Sequence, residues 1–573
     1  MIKYCVACCI LFISMRALTQ TYITNVTVLD VDRMEVLPSQ TVAISNDRII
    51  NIGPVKKITV PAGASVIDGT GKYLIPGLID AHVHFFQSGG LYTRPDALDF
   101  RKHAPYDKEI EWTHRNMEDF LRRYTRAGIT TVVDVGATFN FLQQRDSFRT
   151  RTYAPSVFMT GPLLTTWEPP VFRNLKNDEP FLEMKTVEDA RKFIQQQLPY
   201  KPDFIKIWYI VTDNNTEAGA HKSLPLVQAA IEEAHKNNLR VAVHATERIT
   251  AQLAVEAGCD FLVHGVDDEL IKDDFVQLLK KKNVVLCPTL VVANNYSEVY
   301  GQQYQLSYID YTTANPTTLG SLFDLSHLPD TAMISMVKRS IRNRARMSAH
   351  TDSVLRVNTK KLVDGGVIIA TGTDAGNVGT LHVSSYFEEL QAMRETGLTP
   401  WQLLQASTIH GAKAVGKDSA FGSIQTGKIA DLLLLNANPL DSLVNWRQIA
   451  LVINKGKVMK PDTLVHDTPL ALVQRQLNAY NGHNLDAFLE PYSDSVEIYD
   501  FPDKLQIKGK TQMRKTYQFI TQTPGLHCEI QGRIIQGNVI IDHERVKFGK
   551  QTAEAVAIYH VENGKIKKVY FVY

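Results

Sequence analysis

The sequence is short of cysteine, carries no excess of charge of either sign, and has no apolar run long enough to cross a bilayer. Six cysteines occur in 573 residues, and Cys5, Cys8 and Cys9 sit at the very start. Cys259, Cys287 and Cys528 are too scattered for a disulfide framework or a zinc-ribbon spacing, so each reads as a small buried hydrophobe. Lys plus Arg number 62 against 60 for Asp plus Glu. That balance leaves neither a basic stripe for nucleic acid or anionic membranes nor an acidic tail. The run Tyr4 to Met15 falls short of the about 20 apolar residues a spanning helix needs. With Lys3 before it and a more polar stretch to Gln20 after it, it predicts a secretory signal peptide over residues 1–20. A buried N-terminal helix is the alternative. The signal reading implies a secreted or periplasmic protein with no membrane attachment after cleavage.

What remains is long enough for more than one domain. From Thr21 to Tyr73, alternating runs such as ITNVTVLDV and QTVAISNDRIINIG are broken by Asp, Asn, Gly and Pro, and the same texture returns at GKIADLLLLNANP and IALVINKGKVM. The two flanks, 21–75 and 421–464, predict one composite β-sandwich. Between them, over 76–420, eight apolar runs alternate with helical patterns: LIPGLIDAHVHF, GITTVVDVG, SVFMTGPLL, FIKIWYI, RVAVHA, CDFLVHG, VVLCPTLVV and GVIIATGTDAG. Eight such runs predict an α/β fold built as a (β/α)₈ TIM barrel, with a doubly wound sheet as the alternative. Segments such as LPLVQAAIEEAHKNN and VEDARKFIQQQL carry apolar residues at helical spacing and fit its outer ring. After the seventh run comes a long connection, Asn294 to Lys361, in which Tyr296, Tyr300, Tyr304 and Tyr308 recur every fourth residue. That spacing predicts one aromatic stripe on a helix, serving core packing or a substrate lid. Beyond a proline-bearing joint at 461–469, residues 466–573 read as a separate α+β domain, so the barrel is expected to fold without it.

The chemistry-bearing residues cluster at run ends. His82 and His84 in GLIDAHVHF are separated by one residue, so on a strand they point to the same side and both can bind one ion. His244 closes RVAVHA, His264 closes CDFLVHG, and Asp374 closes GVIIATGTDAG. Barrel active sites are assembled at those strand ends. Lys206 ends an apolar run in DFIKIW, where a bare ammonium is costly, so a negative partner or conversion to a carbamate is expected.

In these motifs and their order the sequence resembles the amidohydrolase superfamily. The resemblance rests on PGLIDAHVH, the two later histidines, the terminal Asp and the closing GSIQTGKIADLLLLNANPL, and it spans about Thr21 to Leu464. DFIK is similar to the matching segment of the prolidase-like and imidazolonepropionase-like dipeptidases of that superfamily. The resemblance implies a hydrolase acting on an amide-type carbon–nitrogen bond of a small-molecule substrate, of the dipeptide or N-acyl amino acid class. It implies one divalent ion on His82, His84 and Asp374, and a second on His244 and His264, with carboxylated Lys206 bridging. Zinc suits these donors best, with manganese, iron, nickel and cobalt as alternatives. Asp374 would accept the proton of the attacking hydroxide, and Tyr209 would contact the developing oxyanion.

Two rival readings stand beside this one. In a mononuclear deaminase or imidazolonepropionase-like enzyme the lysine is idle and Glu247, three residues after His244, donates the proton; the structural reading of Glu247 is a residue opening the next helix. An inactive barrel acting as a binding protein is the other. The C-terminal segment resembles the ketosteroid isomerase-like and SnoaL-like fold, a cone-shaped α+β domain, on AYNGHNLDAFLEPYSDSVEIYDFP and GNVIIDHERV. Asp500, Asp542 and His543 are its candidate pocket residues, with surface or turn positions as the alternative. Homo-oligomer formation through it is left open.

Overall fold

A computed structural model describes residues 20–329 and 331–573. Apart from Gln20, the expected signal peptide lies outside the described residues. Among the described residues no helix is long and apolar enough to cross a membrane.

The two flanks meet. Strand Leu432–Leu435 pairs antiparallel with Tyr73–Pro76, which lies beside Thr21–Asp30, and the ladder continues on either side to give one sheet of eight strands. The alternation seen in the sequence places Ile23, Val28, Val42, Leu432 and Leu434 in a small apolar core of this sheet. The expected sandwich is thus a single mixed sheet with its own core.

Each of the eight central runs carries a strand, and every pairing among them is parallel. The ladders do not run as one closed barrel, however. Leu78–Val83, Ile129–Asp134 and Ser156–Met159 form a sheet of three strands, and Leu163–Thr165, Ile205–Trp208, Val241–His244, Phe261–Val263, Val285–Cys287 and Ile368–Ile369 form, with Phe181–Glu183, a sheet of seven. One local cause interrupts the ladder. Pro162, without an N–H, follows Gly161 between Met159 and Leu163. Beyond Ile369 the last run turns to the first, where Ala375 bridges Val83 in parallel. Backbone hydrogen bonds still tie the last run to the first, from Ala81 N–H to the Thr371 carbonyl at 2.9 Å and from His84 N–H to the Ala375 carbonyl at 2.8 Å.

The surrounding helices form where the apolar spacing predicts them. Val187–Gln197 opens on a reciprocal cap between Thr186 and Asp189. Thr216–Lys236 buries Val227, Ala230, Ile231 and Ala234 along one face; each fully buried Val or Ile contributes roughly 1.5–3 kcal/mol. The four-tyrosine stripe is not one helix. Val292–Gly301 holds Tyr296 and Tyr300, Gln302 ends it in a left-handed conformation, Tyr304 follows in the connection, and Tyr308 opens the separate helix Tyr308–Thr313.

The C-terminal part has helices Pro469–Asn481, Leu485–Leu489 and Lys510–Thr516 against a six-stranded sheet. It is not an appendage. Its Leu472, Val473, Phe488 and Tyr492 share one apolar core with Leu91, Tyr300, Tyr311, Leu319 and Phe323. Asp467, on the joint, accepts from Arg123 at 2.9 Å and from Arg475 at 2.6 Å, and Asn478 donates to the Pro316 carbonyl at 2.7 Å. Cutting the joint would expose this common core, which bears against the expectation that the preceding part folds alone. Asp542 is also fully buried, paired through both oxygens with Arg533, while His543 is exposed.

Candidate metal centre

Strand alternation brings His82 and His84 to one side of Leu78–Val83, and the hydrogen bonds between the first and last runs carry Asp374 alongside them. Asp374 Oδ1 lies 3.1 Å from His82 Nε2 and 3.1 Å from His84 Nε2, and the two ring nitrogens are 3.3 Å apart. His264, at the end of Phe261–Val263, adopts a left-handed φ of 73° that brings its Nε2 to 3.9 Å from Asp374 Oδ2. The rings of His244 and His264 meet edge to face with centroids 4.4 Å apart. Lys206 is 1% exposed. All six predicted ligands line one cavity of about 500 Å³.

The electrostatics suit a cation. Burial holds the imidazoles of His82 and His244 well below their ordinary value and brings His264 down to about 4, so all three are neutral and offer lone pairs. Burial alone would raise the Asp374 carboxyl, yet His82 and His84 beside it keep it well below the usual carboxylate range. Burial pushes the Lys206 amine down to about 7, against the pull of Asp374 and Asp134. Asp374 Oδ1 and His82 Nδ1 are buried without a hydrogen-bond partner. His84 Nδ1 bonds the Gly136 carbonyl at 2.9 Å, which leaves Nε2 as the free acceptor. A Cβ at Gly136 would stand 2.8 Å from the His84 ring, so glycine is what permits this approach. Two imidazole nitrogens and a carboxylate oxygen without a hydrogen-bond partner, converging on one point, fit a divalent ion.

Two buried carboxylates support the strand ends. Asp80 accepts from Thr373 Oγ1 at 2.9 Å and from the backbone N–H of Thr373 at 3.1 Å and His82 at 3.3 Å; burial raises it to about 7. Asp134 accepts from Phe85 N–H at 3.0 Å and Gly136 N–H at 3.1 Å and is raised to about 7 by the same cause. Both were missed in the sequence, although Asp80 stands inside the His-x-His run on the same face.

The structure corrects one site residue. Tyr209 is fully buried and its hydroxyl donates to the Ala220 carbonyl, away from the cavity. Alternation explains it: Lys206 and Trp208 share the inward face, and Trp208 lines the cavity instead. Glu247 precedes helix Arg248–Ala257, its carboxylate accepting from Thr250 Oγ1 at 2.8 Å, and is not among the lining residues, whereas Asp267 is. The lining also includes Arg94, which sequence reading passed over. Asp96 holds it through Nε at 2.8 Å and Nη2 at 2.6 Å, and Asn377 accepts from Nη1. Tyr296 donates to the same Asn377 oxygen at 2.7 Å.

The profile of the amidohydrolase family matches residues 73–459, and that of the SnoaL-like domain matches residues 473–569. An imidazolonepropionase of Symbiobacterium thermophilum is 23% identical over 460 residues, covering 74% of this chain and 91% of that relative. Among solved structures, a Xaa-Pro dipeptidase with bound methionine in the active site is similar with a TM-score of 0.59 and 21% identity, over 77% of this chain and 100% of that one. Molinate hydrolase is similar with a TM-score of 0.57 and 20% identity, over 78% and 95%.

Proposed function

The chain belongs to the amidohydrolase family and is a hydrolase of carbon–nitrogen bonds, and on that premise we propose that it cleaves the amide of a dipeptide or N-acyl amino acid. The observation that carries the proposal is the meeting of His82 Nε2, His84 Nε2 and Asp374 Oδ1, mutually 3.1 to 3.3 Å apart at the floor of a cavity. These three would hold one divalent ion. His244 and His264, with Lys206 converted to a carbamate, would hold a second. Lys206 is fully buried and has no carboxylate within 4 Å among the described residues, so conversion to an anion would give this side chain the charge that a metal neutralises. When bound, the metal lowers the pKa of water from 15.7 towards about 7 and polarises the scissile carbonyl.

The protein's own groups supply the rest. Asp374, kept ionised by the two imidazoles, accepts the proton of the attacking water and delivers it to the leaving nitrogen. Arg94, with three of its five N–H groups held by Asp96 and Asn377, keeps two for a substrate carboxylate, which supports an amino acid as the leaving portion. Trp208, Phe181 and Tyr296 supply apolar wall against which a side chain packs and water is excluded. The proposal also takes the two parallel sheets as the strands of an incompletely laddered (β/α)₈ barrel, with the sheet of eight strands as its sandwich. The signal reading of residues 1–20 makes it a secreted or periplasmic enzyme.

The test is metal content by mass spectrometry together with amine release from dipeptides and N-acyl amino acids. Two divalent ions per chain and release of an amino acid are expected. One ion, with ammonia released from a cyclic amidine or aminopurine, would put the mononuclear reading in its place; loaded protein with no turnover on either panel would favour the binding protein.

A further inference from the structure

A cavity of about 620 Å³, larger than the metal pocket and sharing no lining residue with it, lies between the barrel and the C-terminal domain. Its size is that of a site for a drug-sized molecule. Helix Tyr106–Arg126 and the segment after Tyr308–Thr313 form one wall, and the C-terminal domain closes the other.

The charges facing it are unbalanced. Two cations reach the cavity and both are already paired, Lys108 with Glu111 at 3.0 Å and Arg533 with Asp542 at 2.6 Å. His327 and His527 stack on each other at 3.8 Å, and burial holds both below their ordinary value, His527 at about 3. Of the three carboxylates that line it, Glu529 is paired with Arg545 at 3.9 Å, and the other two have no such partner. Glu109 accepts only from Ser88 Oγ and Asp324 only from Tyr92 Oη, and among the described residues neither has a cation within 4 Å. Burial raises both, Asp324 to about 6. Their donors, Ser88 and Tyr92, stand four residues apart on one segment, and all four side chains line this cavity. A second observation points the same way. Thr318, 4% exposed, lines the cavity with a buried hydroxyl that has no hydrogen-bond partner. Tyr92, Trp112 and Phe323 give the remaining wall aromatic faces.

We propose that this cavity is a second ligand site, taking an organic ammonium with a flat apolar body, its charge between Glu109 and Asp324 and its body against Tyr92, Trp112 and Phe323. An uncompensated buried carboxylate is costly and a cation removes that cost; aromatic faces attract the same charge. The domain's own interior is a poorer candidate, because there Tyr559 donates to Glu544 at 2.7 Å, Gln476 to Tyr559 at 3.2 Å and Tyr492 to Gln476 at 3.2 Å. One short segment borders both cavities: Phe86, Gln87 and Arg94 line the metal pocket, Ser88 and Tyr92 the interdomain one.

The experiment is titration calorimetry of the full-length protein with benzylamine, tyramine and tryptamine, and with indole-3-propionate as a ring of opposite charge. At least one amine should saturate a single site, and indole-3-propionate should not bind. The double variant Glu109→Gln, Asp324→Asn, whose side chains keep their shape, should weaken the amine roughly tenfold or more, the loss expected of a charge-assisted contact. Trp112→Leu should weaken it as well, while Asp374→Asn should leave it unchanged, separating this site from the metal pocket. Equal binding of amine and carboxylate, unchanged affinity in the double variant, loss of binding in Asp374→Asn, or no amine binding at millimolar concentration would each overturn the proposal.

Discussion

The metal pocket and the interior of the C-terminal domain both bury carboxylates, and they treat them in opposite ways. In the C-terminal domain every such group is answered from within: Arg533 clasps Asp542 through two hydrogen bonds and reaches Gln474 at 2.7 Å, and Glu544 takes the Tyr559 hydroxyl. In the metal pocket Asp374 Oδ1 and His82 Nδ1 are left without partners, and Lys206 is buried among neutral histidines. A self-satisfied network holds structure together. An unsatisfied one costs stability and is explained by something that binds there. Buried charge alone therefore does not mark a functional site; the missing partner does.

The sharpest way to break this comparison is Asp374→Asn. Activity of the metal-loaded protein should fall by about 10³-fold or more, roughly 4 kcal/mol of transition-state stabilisation, while the melting temperature of metal-free protein stays level or rises. Asparagine suits the left-handed φ of 62° at this position, so folding should not suffer. A metal-free variant that melts far below wild type would mean that Asp374 is structural.

The mirror experiment is Arg533→Met, which leaves fully buried Asp542 without its cation. Chemical denaturation should show a loss of about 3–5 kcal/mol with turnover per folded molecule unaltered. An effect under about 1 kcal/mol would show that the Arg533–Asp542 pair adds little to stability.

Next in size is Lys206→Ala, compared with Glu247→Ala under the same metal loading. The first should lose about one of two ions and roughly 100-fold in turnover, about 2.7 kcal/mol, and short carboxylic acids should restore part of it. Glu247→Ala should do little, because its carboxylate is engaged by Thr250 outside the cavity. The reverse result would make the centre mononuclear.

The smallest effect comes from Glu544, which burial raises from the ordinary carboxylate value to about 7. The folded state then holds a proton that the unfolded chain has lost between about pH 4.5 and 7. Stability from this group is complete below that window and is lost as pH rises through it. Glu544→Gln should match wild type near pH 4 and exceed it by roughly 1–2 kcal/mol near pH 8, as read from melting curves at both values. A pH-independent difference would show that the carboxyl does not titrate in that range.

Much of the order of parallel strands and the six run-end residues that line one cavity were legible because their signals are local. A strand of period two puts His82 and His84 on one face whatever else the chain does, and a ligand at the end of an apolar run lies at the rim of a parallel sheet. The same alternation, applied one residue further, would have turned Tyr209 away from the cavity and brought in Trp208. The tyrosine stripe misled because a four-residue repeat continues through a helix end that Gln302 imposes.

The sequence by itself thus determined the order of parallel strands and helices, the histidines and carboxylate at the run ends, and the texture of two flanking β segments, since each depends on neighbours a few residues apart. Only the tertiary structure decided what depends on distant pairs. Thr373 reaches back to Asp80 across 293 positions and Asn377 to Arg94 across 283, and it is these contacts that fix the last run against the first and place a cation in the pocket. The core shared by the parallel-sheet region with the C-terminal domain, and the cavity between them, are likewise built from surfaces hundreds of residues apart. Periodicity carries no record of such meetings, because they are chosen by shape and charge complementarity after the local elements have formed.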